Sequence, residues 1–221
     1  MARVLPILFN TDMVRAILDG RKTVTRRLIK FPVNKFTDEV TKAANVSLAE
    51  LKEEKAIFHE EPFYSFYVKP PYQPGDYIYV RETFSEIKNA DGSHKKYVYR
   101  ATDTFPFGEK GYIMKFKWHP SIHMPKEAAR IWLKVLSVRV ERLQECGKDW
   151  CLEIEKEGVV SPQDPILYIN DDKFHDALRE EFKNLWNSTI KKSDLVRYGW
   201  DANPWVWVVE FERCEKPIEE L

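Results

Sequence analysis

Alternation of apolar and polar positions divides the chain into short strands with a few helices between them. Val4 to Phe9 is an apolar run of strand length and reads as a buried strand. Asn10 or Thr11 then stands where a helix N-cap is wanted, and Met13, Val14, Ile17 and Leu18 fall on one helical face. Gly20 follows at a position suited to a left-handed C-terminal cap. The β-branched residues Thr23, Val24 and Thr25 favour an extended backbone over the next stretch. Gln73-Pro74-Gly75-Asp76 predicts a turn into a strand over Tyr77 to Glu82, with Ile78 and Val80 on one face and Tyr77, Tyr79 and Arg81 on the other. The Asp91-Gly92 turn leads into a strand over Lys96 to Arg100. Arg130 to Leu143 alternates over a length that fits one bent strand or two short ones. One helix is predicted from Asp149 to Glu157, stopping at Gly158. Another runs from Asp172 to about Asn187, with Phe174, Ala177, Leu178, Phe182, Leu185 and Trp186 on its apolar side. Pro204 to Phe211 closes the pattern as a strand of nearly unbroken β-formers.

Two segments break the alternation. Residues from about 31 to 72 hold Pro32, Pro62, Pro70 and Pro71 and read as an insertion, a decorated loop more than a moving flap. Inside it, Ser47 and Glu50 make a capping box that predicts a helix over Leu48 to Ile57. Trp118 to Pro125 is irregular, because Pro120 and Pro125 deny it ladder donors. Short strands separated by helices, with no regular strand–helix repeat, predict an α+β fold. A small closed β-barrel with flanking helices over its openings suits this pattern and removes sheet edges. The expected strands of that barrel lie before Phe9 and near Thr25, Tyr79, Tyr97, Val135 and Val208. No internal repeat divides the chain, so one domain over residues 1–221 is expected.

Composition narrows the classes. The chain has 221 residues, 43% apolar and 14% aromatic, which fits a globular protein. Its 35 basic and 35 acidic residues cancel, so no bulk charge draws it to nucleic acid or anionic lipid. Any nucleic-acid contact must come from a local patch or pocket. Cys146, Cys151 and Cys214 form no tight pair, and no His-Glu-x-x-His motif occurs, so neither a disulfide framework, a metal nor another cofactor is expected. The N-terminal apolar run is too short for a membrane span or a signal-peptide core. A soluble cytoplasmic protein with reduced thiols is the expectation.

Three clusters carry candidate chemistry. Arg21 to Lys30 holds five basic residues in ten, behind a helix whose C-terminal dipole favours cations. Hydroxyls of Thr23 and Thr25 alternate with the cations, which suits a polar ligand or, as an exposed stripe, RNA. The glycine-rich phosphate-loop pattern is absent. Glu157 stands at a helix end before Gly158, facing the negative end of the dipole. Among the tryptophans, Trp205 and Trp207 share a strand face and read as core. Trp118 and Trp200 stand in loops and are candidates for stacking on a base.

These residues resemble a known family. Ile17 to Arg26, with its Gly20-Arg21-Lys22-Thr23-Val24-Thr25-Arg26 run, is similar to the opening signature of ASCH domains. Gln73-Pro74-Gly75-Asp76 before Val80-Arg81-Glu82, the Glu157-Gly158-Val159 run and the closing Trp205 to Phe211 resemble its later signatures. Trp118 to Pro125 and Trp200 to Trp205 look like its phage and prophage branch. The resemblance implies a PUA-like barrel and hydrolysis of N4-acetylcytidine or a related acylated nucleobase. It implies Thr25 as nucleophile, Lys22 as its activator and Glu157 as a polar partner. Arg21 and Arg26 are nearby cations able to lower the pKa of Lys22. Arg81 and Glu82 are expected at the pocket rim, with Ser121 or His123 opposite. A reader that holds a modified base without catalysis, or an RNA-binding module, is the alternative. Lys22 and Thr25 lie three positions apart, on opposite faces of a regular strand, so a shared pocket requires a turn or bulge near Thr23.

Overall fold

A computed structural model describes residues 2–31, 46–52, 55–60, 64–88, 95–103, 117–145, 150–159 and 171–217. Five strands form one sheet in the order β1 (Val4–Leu8), β6 (Tyr77–Arg81), β9 (Trp132–Arg142), β10 (Trp205–Cys214) and β2 (Val24–Leu28). β3 (Val46–Lys52), β4 (Lys55–Glu60) and β5 (Tyr64–Val68) form a second sheet, and β7 (Phe84–Lys88) pairs with β8 (Lys95–Tyr99). The helices are α1 (Thr11–Leu18), α2 (Trp150–Glu155), α3 (Asp171–Thr189) and α4 (Leu195–Tyr198). Chain contacts separate two units. The first holds Met1–Gly20, Gly75–Lys134 and Glu212–Leu221, the second Arg21–Pro74 and Val135–Phe211.

In the first unit, β1 runs parallel to β6, with Val4 opposite Tyr77 and Leu8 opposite Arg81. The turn before β6 anchors this pairing. Gly75 takes a φ of 88°, and buried Asp76 then accepts the Arg3 amide at 3.0 Å and pairs with the Arg3 guanidinium. β6 alternates as its sequence predicts, with Ile78 and Val80 fully buried. α1 begins on Asn10, whose side chain accepts from the Met13 amide at 2.9 Å, and Gly20 has the expected positive φ of 74°. Its buried residues are Val14, Ala16 and Ile17.

In the second unit, β10 runs antiparallel to β2, with Val209 opposite Thr25 and Val208 opposite Arg26. Val206 and Val208 pack with Val24, Leu143 and Ile154, and α3 adds Leu178, Phe182 and Trp186 to this core. Those α3 residues follow the predicted helical spacing.

Four expectations are corrected. The α+β class stands, but the described strands form no closed barrel: β1 and β2 occupy the two edges of the five-stranded order. The strand around Tyr97 pairs with β7 as a separate two-stranded ribbon, so it adds nothing to that sheet. β1 is an edge strand, not a buried one. Leu8 is 42% exposed, and Pro6, which cannot donate to a ladder, is tolerated there. The helix expected over Leu48 to Ile57 is a pair of strands, β3 and β4. Ala56 and Phe58 are both completely buried at two-residue spacing, and Phe58 meets Phe31 and Trp205 edge-on at 5.0 and 5.6 Å. Long-range pairing and aromatic packing override the local capping signal here. The Asp91-Gly92 turn lies outside the described residues.

Candidate functional site

Local backbone irregularity brings Lys22 to Glu157. β2 begins only at Val24, and Lys22 makes an isolated antiparallel bridge to Glu157. The Thr23 and Val24 amides both donate to the Lys156 carbonyl, at 2.9 and 3.1 Å. Two successive amides converging on one acceptor break the strand alternation, as a bulge does. On the other side, α2 ends and Gly158 turns the chain with a φ of 83°, its amide donating to Glu155 at 2.8 Å. Replacing Gly158 with alanine is expected to cost roughly 1–2 kcal/mol, because a Cβ is disfavoured in the left-handed region. A midpoint shift in urea unfolding measures it, and a neutral outcome would mean that the turn relaxes freely.

Lys22 is buried to its tip. Nζ donates to Glu157 Oε2, to the Glu157 carbonyl and to the Val24 carbonyl, each at 2.8 Å. Those three acceptors match the three donors of an ammonium group. Burial pushes the Lys22 pKa below the ordinary lysine range. Glu157 opposes that shift, and Arg27 and Arg26 add to it. Arg26 Nη1 donates to Glu157 Oε1 at 2.9 Å, so one carboxylate bridges two cations. Arg26 Nη2 also lies 3.7 Å from Glu141 and 3.9 Å from Glu153. Its guanidinium carbon stands 5.6 Å from the centre of the Phe182 ring. Arg139 extends the network by pairing with both Glu141 and Glu153, and Lys156 joins Glu153 at 3.0 Å. Thr25 is 3% exposed and sits one residue before Arg26, on the opposite face of β2. Arg21 is exposed and donates to the Gly158 carbonyl at 3.3 Å.

Trp200 is not available for stacking. It is 7% exposed and packs edge-on against Phe182 at 5.8 Å in the core of the second unit. The glycine and proline around it marked a loop, but the loop folds inward onto α3. Trp205 stacks under the Arg142 guanidinium at 4.4 Å.

The remaining sequence candidates belong to the first unit. Glu82 is 1% exposed and takes a two-pronged pair from Arg130, Nε to Oε1 at 2.9 Å and Nη2 to Oε2 at 3.0 Å. Arg81 donates to the Ile122 carbonyl, within the short helical turn Ser121–His123. His123 is exposed, while Ser121 and Trp118 are half-buried. Arg130 was not singled out by sequence, although its strand-edge position beside a conspicuous Val-Arg-Glu ending offered a partner search. Arg139, Glu141 and Glu153 were also missed. The Arg-x-Glu spacing of the first two on β9 is the signal that could have found them.

Among the described residues, no cluster of three His, Cys, Asp or Glu side chains could hold a metal, and no helix is long and apolar enough to cross a membrane. No family model, no curated protein and no solved structure matches the chain.

Proposed function

We propose that this chain is an ASCH-type, PUA-like protein that hydrolyses the acyl amide of N4-acetylcytidine or a related acylated nucleobase. Thr25 serves as nucleophile, Lys22 as base, and Glu157 with Arg26 as the charged frame. One observation carries the reading: Lys22 Nζ is held against the Val24 carbonyl, in the peptide unit joined directly to Thr25. The reading requires the Thr25 hydroxyl to reach that amine, with the bulge at Thr23 breaking the regular three-residue spacing. Burial favours the neutral amine. Loss of one proton leaves two donors for three acceptors and exposes a lone pair able to take the Thr25 hydroxyl proton. The Thr25 oxygen then forms a bond to the acyl carbon. The amide C–N bond breaks, with the Lys22 proton passing to the leaving nitrogen. Water hydrolyses the resulting ester and regenerates Thr25.

A reader without catalysis is the second reading. The saturated Lys22 ammonium and the placement of Thr25 across the strand from Arg26 favour it, since a fixed charge frame can orient a base without reacting. Acetate release from N4-acetylcytidine separates the two. Wild-type protein is expected to release acetate, with a rate that rises with pH and levels off below the ordinary lysine pKa, because the neutral amine is the active form. Binding of the nucleoside with no acetate above the buffer rate would leave the reader standing and end the hydrolase reading.

A further inference from the structure

A second feature of the same unit lies beyond the Lys22–Glu157 frame. A cavity of about 310 Å³ opens between β2 and the segment after α3. That is the low end of small-ligand sites. Arg26, Arg27, Lys30 and Lys191 line it, opposed by one carboxylate, Asp194. Arg26 is balanced by Glu157 at 2.9 Å and so adds little net charge. Asp194 accepts from the neighbouring Ser193 hydroxyl at 3.0 Å. The exposed Lys30 and Lys191 outnumber the acid two to one, beside the half-buried Arg27. Buried Tyr198 and Trp186 supply the wall, fixed to each other by a 2.8 Å bond from the Trp186 indole nitrogen to the Tyr198 carbonyl. Buried aromatic walls, two arginines in the lining and two lysines at an open rim suit a compact dianion attached to a small organic group.

We propose that this cavity binds the phosphate of a small phosphomonoester, such as a nucleoside monophosphate. An extended RNA strand is disfavoured, because the net charge of the chain is zero and a recess of about 310 Å³ is of mononucleotide scale. Arg26 belongs to both the cavity and the Lys22 frame, but Lys30 and Lys191 take no part in that frame, so changing them tests phosphate binding apart from hydrolysis.

Calorimetric titration of the full chain with inorganic phosphate, cytidine 5′-monophosphate and cytidine tests this. The monophosphate is expected to bind more tightly than cytidine by about tenfold or more, the equivalent of one charge-assisted contact. Phosphate is expected to compete with it. A Lys30→Gln/Lys191→Gln double variant, changing two exposed side chains, should lose most of that preference. Asp194→Asn, which removes the opposing charge, should strengthen it. Equal affinity for the monophosphate and cytidine, or an unchanged preference in the double variant, would overturn the proposal. So would tighter binding of a short single-stranded RNA than of the monophosphate, with steep salt dependence.

Discussion

Glu157→Gln is expected to destabilise the protein by roughly 3–5 kcal/mol, the cost of breaking a buried pair by removing one partner. The size follows from what the carboxylate holds. Lys22 and Arg26 reach its two oxygens at 2.8 and 2.9 Å, and their side chains are 0% and 1% exposed. Neither cation can turn to water when the charge is lost. Glu141 and Glu153, at 3.7 and 3.9 Å from Arg26, compensate only partly. Lys22→Met alone should cost a similar amount, because it strands the carboxylate on Arg26. The two together should cost clearly less than their sum, since the double variant leaves no unpaired ion of this couple. Urea unfolding of the four proteins gives the comparison. A Glu157→Gln cost near 1 kcal/mol or below would mean that water reaches the pair and that it behaves as a surface bridge.

Thr25→Val should do the opposite, leaving stability nearly unchanged and removing turnover. Valine keeps the shape and strand preference of threonine. The loss to folding is at most about one hydrogen bond, 0.5–1.5 kcal/mol. The fall in acetate release should be roughly 10³-fold or greater, as for loss of a nucleophile from a unit that acts together. A reader protein would show instead a modest weakening of nucleoside binding. The contrast with Glu157→Gln is informative because the hydrolase account assigns the frame to folding and the hydroxyl to the reaction alone.

The sequence revealed local pattern well and long-range pairing poorly. β6 was legible because Ile78 and Val80 alternate behind an unmistakable Pro-Gly-Asp turn, and α3 because Leu178, Phe182 and Trp186 recur at helical spacing. The Asn10 cap and the positive φ of Gly20 followed from local chemistry alone. The β3–β5 sheet was hidden, since the capping box at Ser47 and Glu50 is a local signal, whereas β4 is built by pairing with β3 and β5 and by burial of Phe58. Barrel closure was overcalled because it depends on whether β1 meets β2, which no pattern within either strand encodes. Trp200 was misread for a related reason: glycine and proline mark a loop but not the direction in which it folds. In the site, charge and helix-end position singled out the Lys22–Thr25 stretch and Glu157, but only the family resemblance gave them catalytic roles. Strand spacing made a turn or bulge near Thr23 a condition for a shared pocket, and the two amides on the Lys156 carbonyl show such a bulge, whose acceptor no spacing rule could name.

The most direct test of the hydrolase account is chemical trapping of the ester on Thr25. Protein mixed with N4-acetylcytidine, quenched in acid and digested should yield a peptide carrying one added acetyl group at Thr25, absent from Thr25→Val. Acetate release without any acetyl group on Thr25, or an acetyl group that persists in Thr25→Val, would contradict threonine as the nucleophile.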